Sequence, residues 1–215
     1  MFSQINRVGL FLSHQIRASP QLTAAATTMA RSHSAAASDT DIVWMDLEMT
    51  GLDFEKDKIL ELACVITDKD LNVKSEGPCF AINHPQEVYD NMNEWCMKHH
   101  YESGLVDRCK NSQVKPKQAE ELMLSYLKKN IPERKCPLGG NSVYMDRLFL
   151  RKFMPNVDEY LHYRIVDVSI IKELAKRWYP DVASGTPQKK LAHRSLDDIL
   201  ESIEELKYYK QSLFK

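Results

Sequence analysis

Four carboxylates and one histidine occur along this chain in an order and spacing that could bind divalent metal ions. Asp46 and Glu48 are two residues apart, Asp146 follows far downstream, and His193 and Asp198 are five residues apart. Mg²⁺ and Mn²⁺ prefer oxygen ligands, and two such ions about 3.5–4 Å apart stabilise both the attacking and the leaving oxygen of a phosphodiester. A nearby histidine can deprotonate the attacking water. These five residues are therefore typical of a two-metal nuclease.

Each of the acids also has a purely structural explanation when it is taken alone. Residues two apart in a strand point to the same face, so Asp46 and Glu48 could simply end a strand that emerges into solvent. Ser195 and Asp198 have the spacing of a helix capping box, and Asp146 stands near the start of a predicted helix, where an acid favours the helix dipole. The combination of residues, rather than any single motif, predicts the metal site.

The pattern of apolar residues predicts an α/β fold with a mixed sheet. Residues 41–47, 58–67 and 77–83 have the composition of strands, and the short polar breaks between them predict a meander. Strands interleaved with helices follow, which predicts helices packed on the sheet. Helical spacing is clearest in the final segment, at Leu196, Ile199, Leu200, Ile203 and Leu206. The other predicted elements are helices at 93–101, 117–130, 145–154 and 169–179, the last with Ser169 as N-cap, strands at 138–143 and 165–168, and a loop at 180–190.

The first 38 residues differ in composition from the rest of the chain. They contain three arginines, many Ser and Ala residues, and no Asp or Glu. We therefore predict a mitochondrial transit peptide at residues 1–38 and one folded domain at residues 39–215. The alternative is a disordered tail without a function. A second start at Met29 would give a cytoplasmic form. No run of eighteen apolar residues occurs, which predicts a protein without a membrane-spanning segment.

The charge balance restricts the class of substrate. Because three of the 29 basic residues lie in the leader, residues 39–215 carry 26 basic against 30 acidic residues. Tight, sequence-independent binding of a long polyanion depends on many Lys and Arg contacts to phosphates. We therefore expect any nucleic-acid substrate to be short. The five cysteines include no C-x-x-C pair, so they give no zinc framework and are predicted to be reduced.

Four sequence strings connect these observations to a known family. They are V-W-M-D-L-E-M-T-G-L-D at 43–53, G-N-S-V-Y-M-D at 140–146, H-Y-R-I-V-D-V-S at 162–169 and H-R-S-L-D-D-I-L-E-S-I-E-E-L at 193–206. On these strings the chain resembles the DEDDh 3′-to-5′ exonucleases and, within them, the oligoribonucleases, from about Ile42 to the carboxyl terminus. The resemblance implies an RNase H-like fold, a homodimer, and release of nucleoside 5′-monophosphates from very short RNAs, above all dinucleotides.

The resemblance also implies a role for each member of the metal site. Two Mg²⁺ or Mn²⁺ ions would be bound by the four acids, Asp46, Glu48, Asp146 and Asp198. His193 would then act as the general base that deprotonates water. Both roles come from the match to the family strings and are expectations for this chain.

The residues that the resemblance assigns to the substrate lie in the same strings and in the segment around residue 95. Leu52 and Trp95 would wedge and stack against the two bases, a suitable role because aromatic stacking on bases is sequence-tolerant. Ordinary helix-face packing is the alternative for Trp95. His100 would contact the scissile region or the bases. The 5′ phosphate would be capped by Ser142, Arg164 and Ser169, with Tyr163 supplied by the partner subunit.

Three other functions are compatible with parts of the pattern. A DEDDh exonuclease could trim or proofread longer RNA or DNA, although the excess of acidic residues in 39–215 argues against it. A catalytically inactive nucleic-acid-binding module could retain the fold, although all five catalytic positions hold suitable residue types. A structural protein could use the acids as helix caps and surface charge. The sequence favours a metal-dependent exoribonuclease over all three.

Overall fold

A five-stranded mixed sheet forms the centre of the protein, and the computed structural model describes residues 36–188 and 194–214. Most of the predicted leader therefore lies outside the described residues. The strand order is β3-β2-β1-β4-β5, in which the first three strands are antiparallel and β4 and β5 run parallel to β1. The α/β prediction with a mixed sheet is confirmed. The strands are β1 Ile42–Met49, β2 Ile59–Thr67, β3 Val73–Ala81, β4 Leu138–Gly140 and β5 Ile165–Asp167.

The two faces of β1 contribute to different halves of the core, because side chains alternate along a strand. Val43, Met45 and Leu47 pack in a cluster with apolar residues from α4 and α5, whereas Trp44 packs with residues of α7 and α9. Asp46 and Glu48 share the alternation of Trp44, so they belong to the face that α9 covers. The helices are α1 Gln86–Asp90, α2 Glu94–Glu102, α3 Leu105–Asn111, α4 Pro116–Asn130, α5 Tyr144–Phe153, α6 Pro155–Tyr160, α7 Val168–Trp178, α8 Pro180–Ser184 and α9 Ser195–Leu213.

The segment predicted as a loop at 180–190 is partly helical, which corrects that prediction. Pro180 follows the C-cap of α7 and is the first residue of α8. Proline is well suited to a first helical position, because its fixed φ matches the helix and its missing N–H has no intrahelical partner there. One residue thus ends one helix and begins the next. The short helices α1, α3 and α6 were also not predicted, since five to seven residues are too few for a clear period.

The predicted cap at Ser169 is wrong, and the alternative interpretation of Ser195 as a helix cap is wrong as well. Asp167, not Ser169, caps α7, and its carboxylate accepts a hydrogen bond from the Ser169 backbone N–H. Ser195 is the first residue of α9, after Arg194 at the N-cap, and its buried hydroxyl has no hydrogen-bond partner within the described residues. The predicted strand at 138–143 ends early at Gly140, because Ser142 adopts a left-handed conformation with φ of 51°.

No helix within residues 36–188 and 194–214 combines the length and the apolar content that crossing a lipid bilayer requires.

Candidate active site

Three of the predicted acids lie together at the carboxyl end of β1. Asp46 and Glu48 extend from β1, and Asp198 extends from the first turn of α9. One carboxylate oxygen from each residue lies within 4.8 Å of the others, and all three side chains are half-buried. The alternation of β1 and the packing of α9 on the same face bring them together. The cluster offers the hard oxygen ligands that Mg²⁺ and Mn²⁺ prefer.

The fourth acid, Asp146, is tied to the same end of β1 through a backbone hydrogen bond. Its Oδ1 accepts a hydrogen bond of 3.0 Å from the N–H of Leu47, the residue between Asp46 and Glu48. The position of Asp146 follows from the topology. Because β4 is parallel to β1, α5 begins at the end of the sheet where β1 also terminates. Burial raises the pKa of Asp146, and the nearby charge of Asp46 raises it further.

Gly140 allows the backbone of β4 to approach β1 closely near the carboxyl ends of the two strands. A Cβ atom at residue 140 would lie 3.2 Å from the carbonyl oxygen of Met45 and 3.0 Å from a methyl group of Val143. Such distances are shorter than most real Cβ contacts, so a side chain would force its neighbours to move by a few tenths of an ångström. The absence of a side chain helps to place the turn before α5, and hence Asp146, beside β1.

Electrostatics indicate that this cluster is suited to cations. Burial raises the pKa of Glu48 to about 8, and the charges of Asp46 and Asp198 contribute in the same direction. Because burial and neighbouring negative charges both disfavour ionisation, the ionised forms of these acids require compensating positive charge. A divalent cation would provide that charge and would favour the ionised carboxylates. The donor chemistry and the excess of negative charge therefore fit bound Mg²⁺ or Mn²⁺.

We predict that stabilisation of the protein by Mg²⁺ increases between pH 6 and pH 8.5. The folded-state pKa of Glu48 lies above its ordinary value of 4.5, so the stability contributed by the protonated group is lost as the pH rises through 8. Mg²⁺ must displace that proton, which lowers its apparent affinity about tenfold for each pH unit below 8. Thermal unfolding in chelator and at a fixed Mg²⁺ concentration, measured at both pH values, provides the comparison. An equal Mg²⁺ effect at both pH values would contradict the prediction.

His193 lies outside the described residues. It directly precedes Arg194, the N-cap of α9, in the sequence. Asp198 lies in the first turn of that helix.

An apolar cavity of about 470 Å³ adjoins the acid cluster and shares Glu48 with it. Leu52 and Trp95 line this cavity and remain 68% and 56% exposed, although both are large apolar side chains. Large apolar surface that is left exposed beside polar groups is typical of a ligand-binding surface. The other lining residues are Leu47, Met49, Gly51, Asn93, Cys96 and His100.

His100 connects the cavity to the acid cluster. Its ring is buried, and Nε2 lies 2.8 Å from the carbonyl oxygen of Met49, which can only accept a hydrogen bond. The other ring nitrogen, Nδ1, lies 3.9 Å from Oε2 of Glu48. The structure thus places His100 beside a candidate metal ligand and joins α2 to the end of β1.

His99, which was not predicted from the sequence to contribute to a site, also lies in this region. Its ring stacks on the indole of Trp95, with the two centroids 4.0 Å apart and the planes inclined by 23°. Nδ1 of His99 lies 2.7 Å from the backbone carbonyl oxygen of Trp95. The only available signal was the spacing of four residues, which places two side chains on one helix face.

Two of the predicted phosphate-binding residues lie together at the carboxyl ends of β4 and β5. The Ser142 hydroxyl is 3.2 Å from that of Ser169. Asp167 holds this pair, because its Oδ1 accepts hydrogen bonds of 2.9 Å from the backbone N–H groups of both serines. Asp167 was not predicted as a site residue, although the H-Y-R-I-V-D-V-S string contains it.

Arg164 and Tyr163 precede β5, whereas Ser169 follows it. The Arg164 guanidinium lies 5.2 Å from the centre of the Tyr163 ring, and Tyr163 is 73% exposed. The contacts among described residues bring Ser142 and Ser169 together and do not join Arg164 to them. The exposed phenol ring remains accessible to another molecule.

Comparison with known proteins identifies the family. The family model described as an exonuclease domain of the RNase T type matches residues 43–206, most of the chain. A probable oligoribonuclease of Drosophila melanogaster is 69% identical over 215 residues, which is the full length of both chains. The chain belongs to the oligoribonucleases of the DEDDh exonuclease family. A human protein named mitochondrial oligoribonuclease is 52% identical over 174 residues, which cover 81% of this chain and 73% of the human protein.

Solved structures confirm the fold. Escherichia coli exonuclease I in complex with a dT13 oligonucleotide superposes with a TM-score of 0.61 at 16% identity. The match covers 80% of this chain and 41% of that chain, so this protein spans about two fifths of the length of the larger enzyme. At this identity the likeness establishes the RNase H-like exonuclease fold. The family assignment, in turn, makes the protein a nuclease that hydrolyses phosphodiester bonds, which excludes a purely structural role.

Proposed function

We propose that this enzyme is a 3′-to-5′ exoribonuclease that degrades very short RNAs, above all dinucleotides, to nucleoside 5′-monophosphates. The observation that carries the proposal is the shared position of Glu48, which belongs both to the acid cluster and to the wall of the apolar cavity. A base held in the cavity would place its adjacent phosphate near the acids. The names of the relatives in Drosophila and human support RNA as the substrate.

The acid cluster would hold two divalent ions. Asp46, Glu48 and Asp198 would supply the converging oxygens, and Asp146 would complete the set from the first turn of α5. When bound, such ions neutralise charge on the phosphodiester and lower the pKa of water. His193 would accept the proton of the attacking water. The 3′ oxygen of the penultimate nucleotide would leave, which releases the terminal nucleotide as a 5′-monophosphate.

Leu52 and Trp95 would contact the bases of a dinucleotide. Their exposed side chains line the cavity beside Glu48, and the indole is supported from one side by His99. Stacking on an aromatic ring contributes about 1–3 kcal/mol per base and tolerates any base. We therefore expect broad base tolerance with a strong dependence on Trp95.

The serine pair would determine substrate length by binding the 5′ phosphate. Ser142 and Ser169 present two hydroxyl groups 3.2 Å apart, on backbone segments that Asp167 holds together. Arg164 would add positive charge from an exposed side chain. Hydroxyl and guanidinium groups are suitable phosphate donors. Donors that surround a 5′ phosphate one nucleotide upstream of the cut would leave little space for a longer chain.

Replacing Ser169 by Ala tests this role. We expect kcat/KM for a 5′-phosphorylated dinucleotide to fall roughly 10- to 100-fold, because a hydrogen bond to a charged group contributes about 1.5–3 kcal/mol. The dinucleotide with a 5′ hydroxyl should lose much less. Ser184→Ala, in the exposed helix α8, is the matched control. Equal losses on the two substrates would contradict a phosphate-binding role.

The protein would act as a homodimer in which Tyr163 contributes to the partner's site. In support, α7 leaves an apolar stripe exposed at a spacing of four residues, formed by Ile170, Leu174 and Trp178. Such a stripe is typical of a helix that packs against another surface.

We predict that Leu174→Glu combined with Trp178→Glu produces a monomer with reduced dinucleotide hydrolysis, because charge cannot be buried cheaply in an apolar interface. Light scattering and a dinucleotide assay on the same sample measure both effects. Leu122→Glu, at a similarly exposed leucine of α4, should change neither. A monomeric wild-type protein would contradict the proposal.

Residues 1–38 would direct the protein to mitochondria. The named relatives in human, cow and mouse are mitochondrial oligoribonucleases, which supports this assignment. A start at Met29 would give a cytoplasmic form. A single mature amino terminus immediately after the leader in every cell fraction would contradict the second start.

A further inference from the structure

The loop between β1 and β2 presents Leu52 at the edge of the apolar cavity. Leu52 is 68% exposed, so burial of its own side chain contributes little to its position. An exposed residue in a loop usually samples several conformations, which reduces binding because these must be restricted in the complex. The position of Leu52 therefore depends on the residues that hold the loop.

The carboxylate of Asp57 bridges the two residues that flank the Gly51-Leu52 pair. Oδ1 accepts a hydrogen bond of 2.8 Å from the Thr50 hydroxyl, and Oδ2 accepts one of 2.9 Å from the Asp53 backbone N–H. One side chain thus receives a hydrogen bond from the residue before the pair and another from the residue after it. The two bonds restrict both ends of the segment that carries Leu52.

Backbone contacts reinforce this arrangement. The Asp57 N–H donates to the carbonyl oxygen of Asp53 at 2.8 Å, and the Lys58 N–H donates to the Thr50 hydroxyl at 3.0 Å. Thr50 therefore receives one hydrogen bond and donates another within the same loop. The Asp57 carboxylate is part of a closed set of hydrogen bonds rather than an isolated contact.

Gly51 is required for the carboxylate to approach the loop. A Cβ atom at residue 51 would lie 2.3 Å from Oδ2 of Asp57 and 2.9 Å from Oδ1. Distances below 3.0 Å do not occur between real atoms of this kind, so a side chain would displace the carboxylate. The glycine is explained by this close approach.

Residues 54 and 55, further along the same loop, are held by other contacts. Phe54 packs against the main core cluster, and the Lys152 ammonium contacts both the carboxylate and the backbone carbonyl oxygen of Glu55. These contacts fix residues 54 and 55 against α5. Residues 50–53, which include Leu52, are instead fixed by Asp57.

We propose that Asp57 is a positioning residue that holds Leu52 in place for contact with a base of the substrate. The inference rests on the proposed function, in which Leu52 is the residue that meets the base. Asp57 itself would not touch the substrate, and its effect would pass through the loop. Loss of the carboxylate should therefore weaken substrate binding and leave the chemical step intact.

Steady-state kinetics of the full chain with Mg²⁺ on a 5′-phosphorylated dinucleotide tests the proposal. For Asp57→Ala we expect KM to rise roughly tenfold, with kcat within about twofold of the wild type. Asp68→Ala is the matched control, because Asp68 accepts backbone hydrogen bonds from Asp70 and Asn72 in the β2–β3 loop in a similar manner. It should lower thermal stability without changing KM. An equal rise of KM in both variants would indicate a general effect of loop destabilisation and would overturn the proposal.

A double-mutant cycle with Leu52→Ala establishes whether Asp57 acts through Leu52. Leu52→Ala alone should raise KM, and adding Asp57→Ala should produce little further increase, because the side chain to be positioned is already absent. The inference would be overturned if the rise of KM in the double variant equalled the product of the two single rises. It would also be overturned if Asp57→Ala raised KM and Leu52→Ala did not.

Backbone hydrogen exchange supplies a readout that does not depend on turnover. Asp57→Ala should accelerate amide exchange at residues 51–53, and unchanged exchange there would also overturn the proposal. Failure of the proposed function would be visible separately, as absence of dinucleotide hydrolysis by the wild-type protein.

Discussion

Replacement of Asp198 by Asn is expected to lower kcat/KM with Mg²⁺ by about 10³-fold, because a metal ligand contributes several kcal/mol to stabilisation of the transition state. The amide removes one negative charge and one of the three converging carboxylates, while the side-chain size is retained. The same variant should lose most of the thermal stabilisation that Mg²⁺ gives the wild type, since bound ions stabilise a protein by mass action. Activity and thermal unfolding, each with Mg²⁺ and with chelator, measure the two effects.

Asp197 offers an unusually close control for this experiment. It is adjacent to Asp198, lies in the same first turn of α9, and has an exposed side chain. If Asp198 served only the helix dipole, Asp197→Asn and Asp198→Asn would have the same small effect, about 0.3–1 kcal/mol of stability each. We expect Asp197→Asn to change activity by less than about twofold under the same conditions. Similar behaviour of the two variants would contradict the metal site.

Local patterns were sufficient to predict the first three strands and several of the acid positions. The alternation of β1 placed Asp46 and Glu48 on one face, and the helical period of the final segment placed Asp198 near the start of α9. Asp146 required more than periodicity, because its place beside Leu47 depends on β4 running parallel to β1. The family resemblance supplied that link before the topology was known.

Residues whose effect depends on tertiary contacts could not be predicted in the same way. The sequence pattern places Asp167 in a predicted strand. Its hydrogen bonds to the backbone of Ser142 and Ser169 become apparent only in the folded structure. Ser195 has the spacing of a capping box, but it is the first residue of α9 rather than its N-cap, and its buried hydroxyl has no hydrogen-bond partner within the described residues. Short helices such as α8 depend on one proline and a few contacts, which a period of 3.6 residues does not detect.

The largest effect on substrate choice is expected between a dinucleotide and a long RNA. Residues 39–215 carry more acidic than basic residues, so little general attraction for a polyanion compensates for lost contacts at the site. The cavity beside Glu48 and the serine pair held by Asp167 would bind one short substrate by its bases and its 5′ phosphate. A longer RNA has no terminal 5′ phosphate at that position, and its chain would have to pass between the groups proposed to bind that phosphate, Ser142, Ser169 and Arg164.

Length selection is tested most directly by kcat/KM of the purified protein with Mg²⁺ on a 5′-phosphorylated dinucleotide and on a 20-nucleotide RNA. We expect the dinucleotide to be hydrolysed at least about 100-fold more efficiently, which corresponds to the loss of charge-assisted contacts to one phosphate. A chelator should abolish both reactions. Equal efficiencies on the two substrates would contradict length selection and would favour an exonuclease that trims longer nucleic acids.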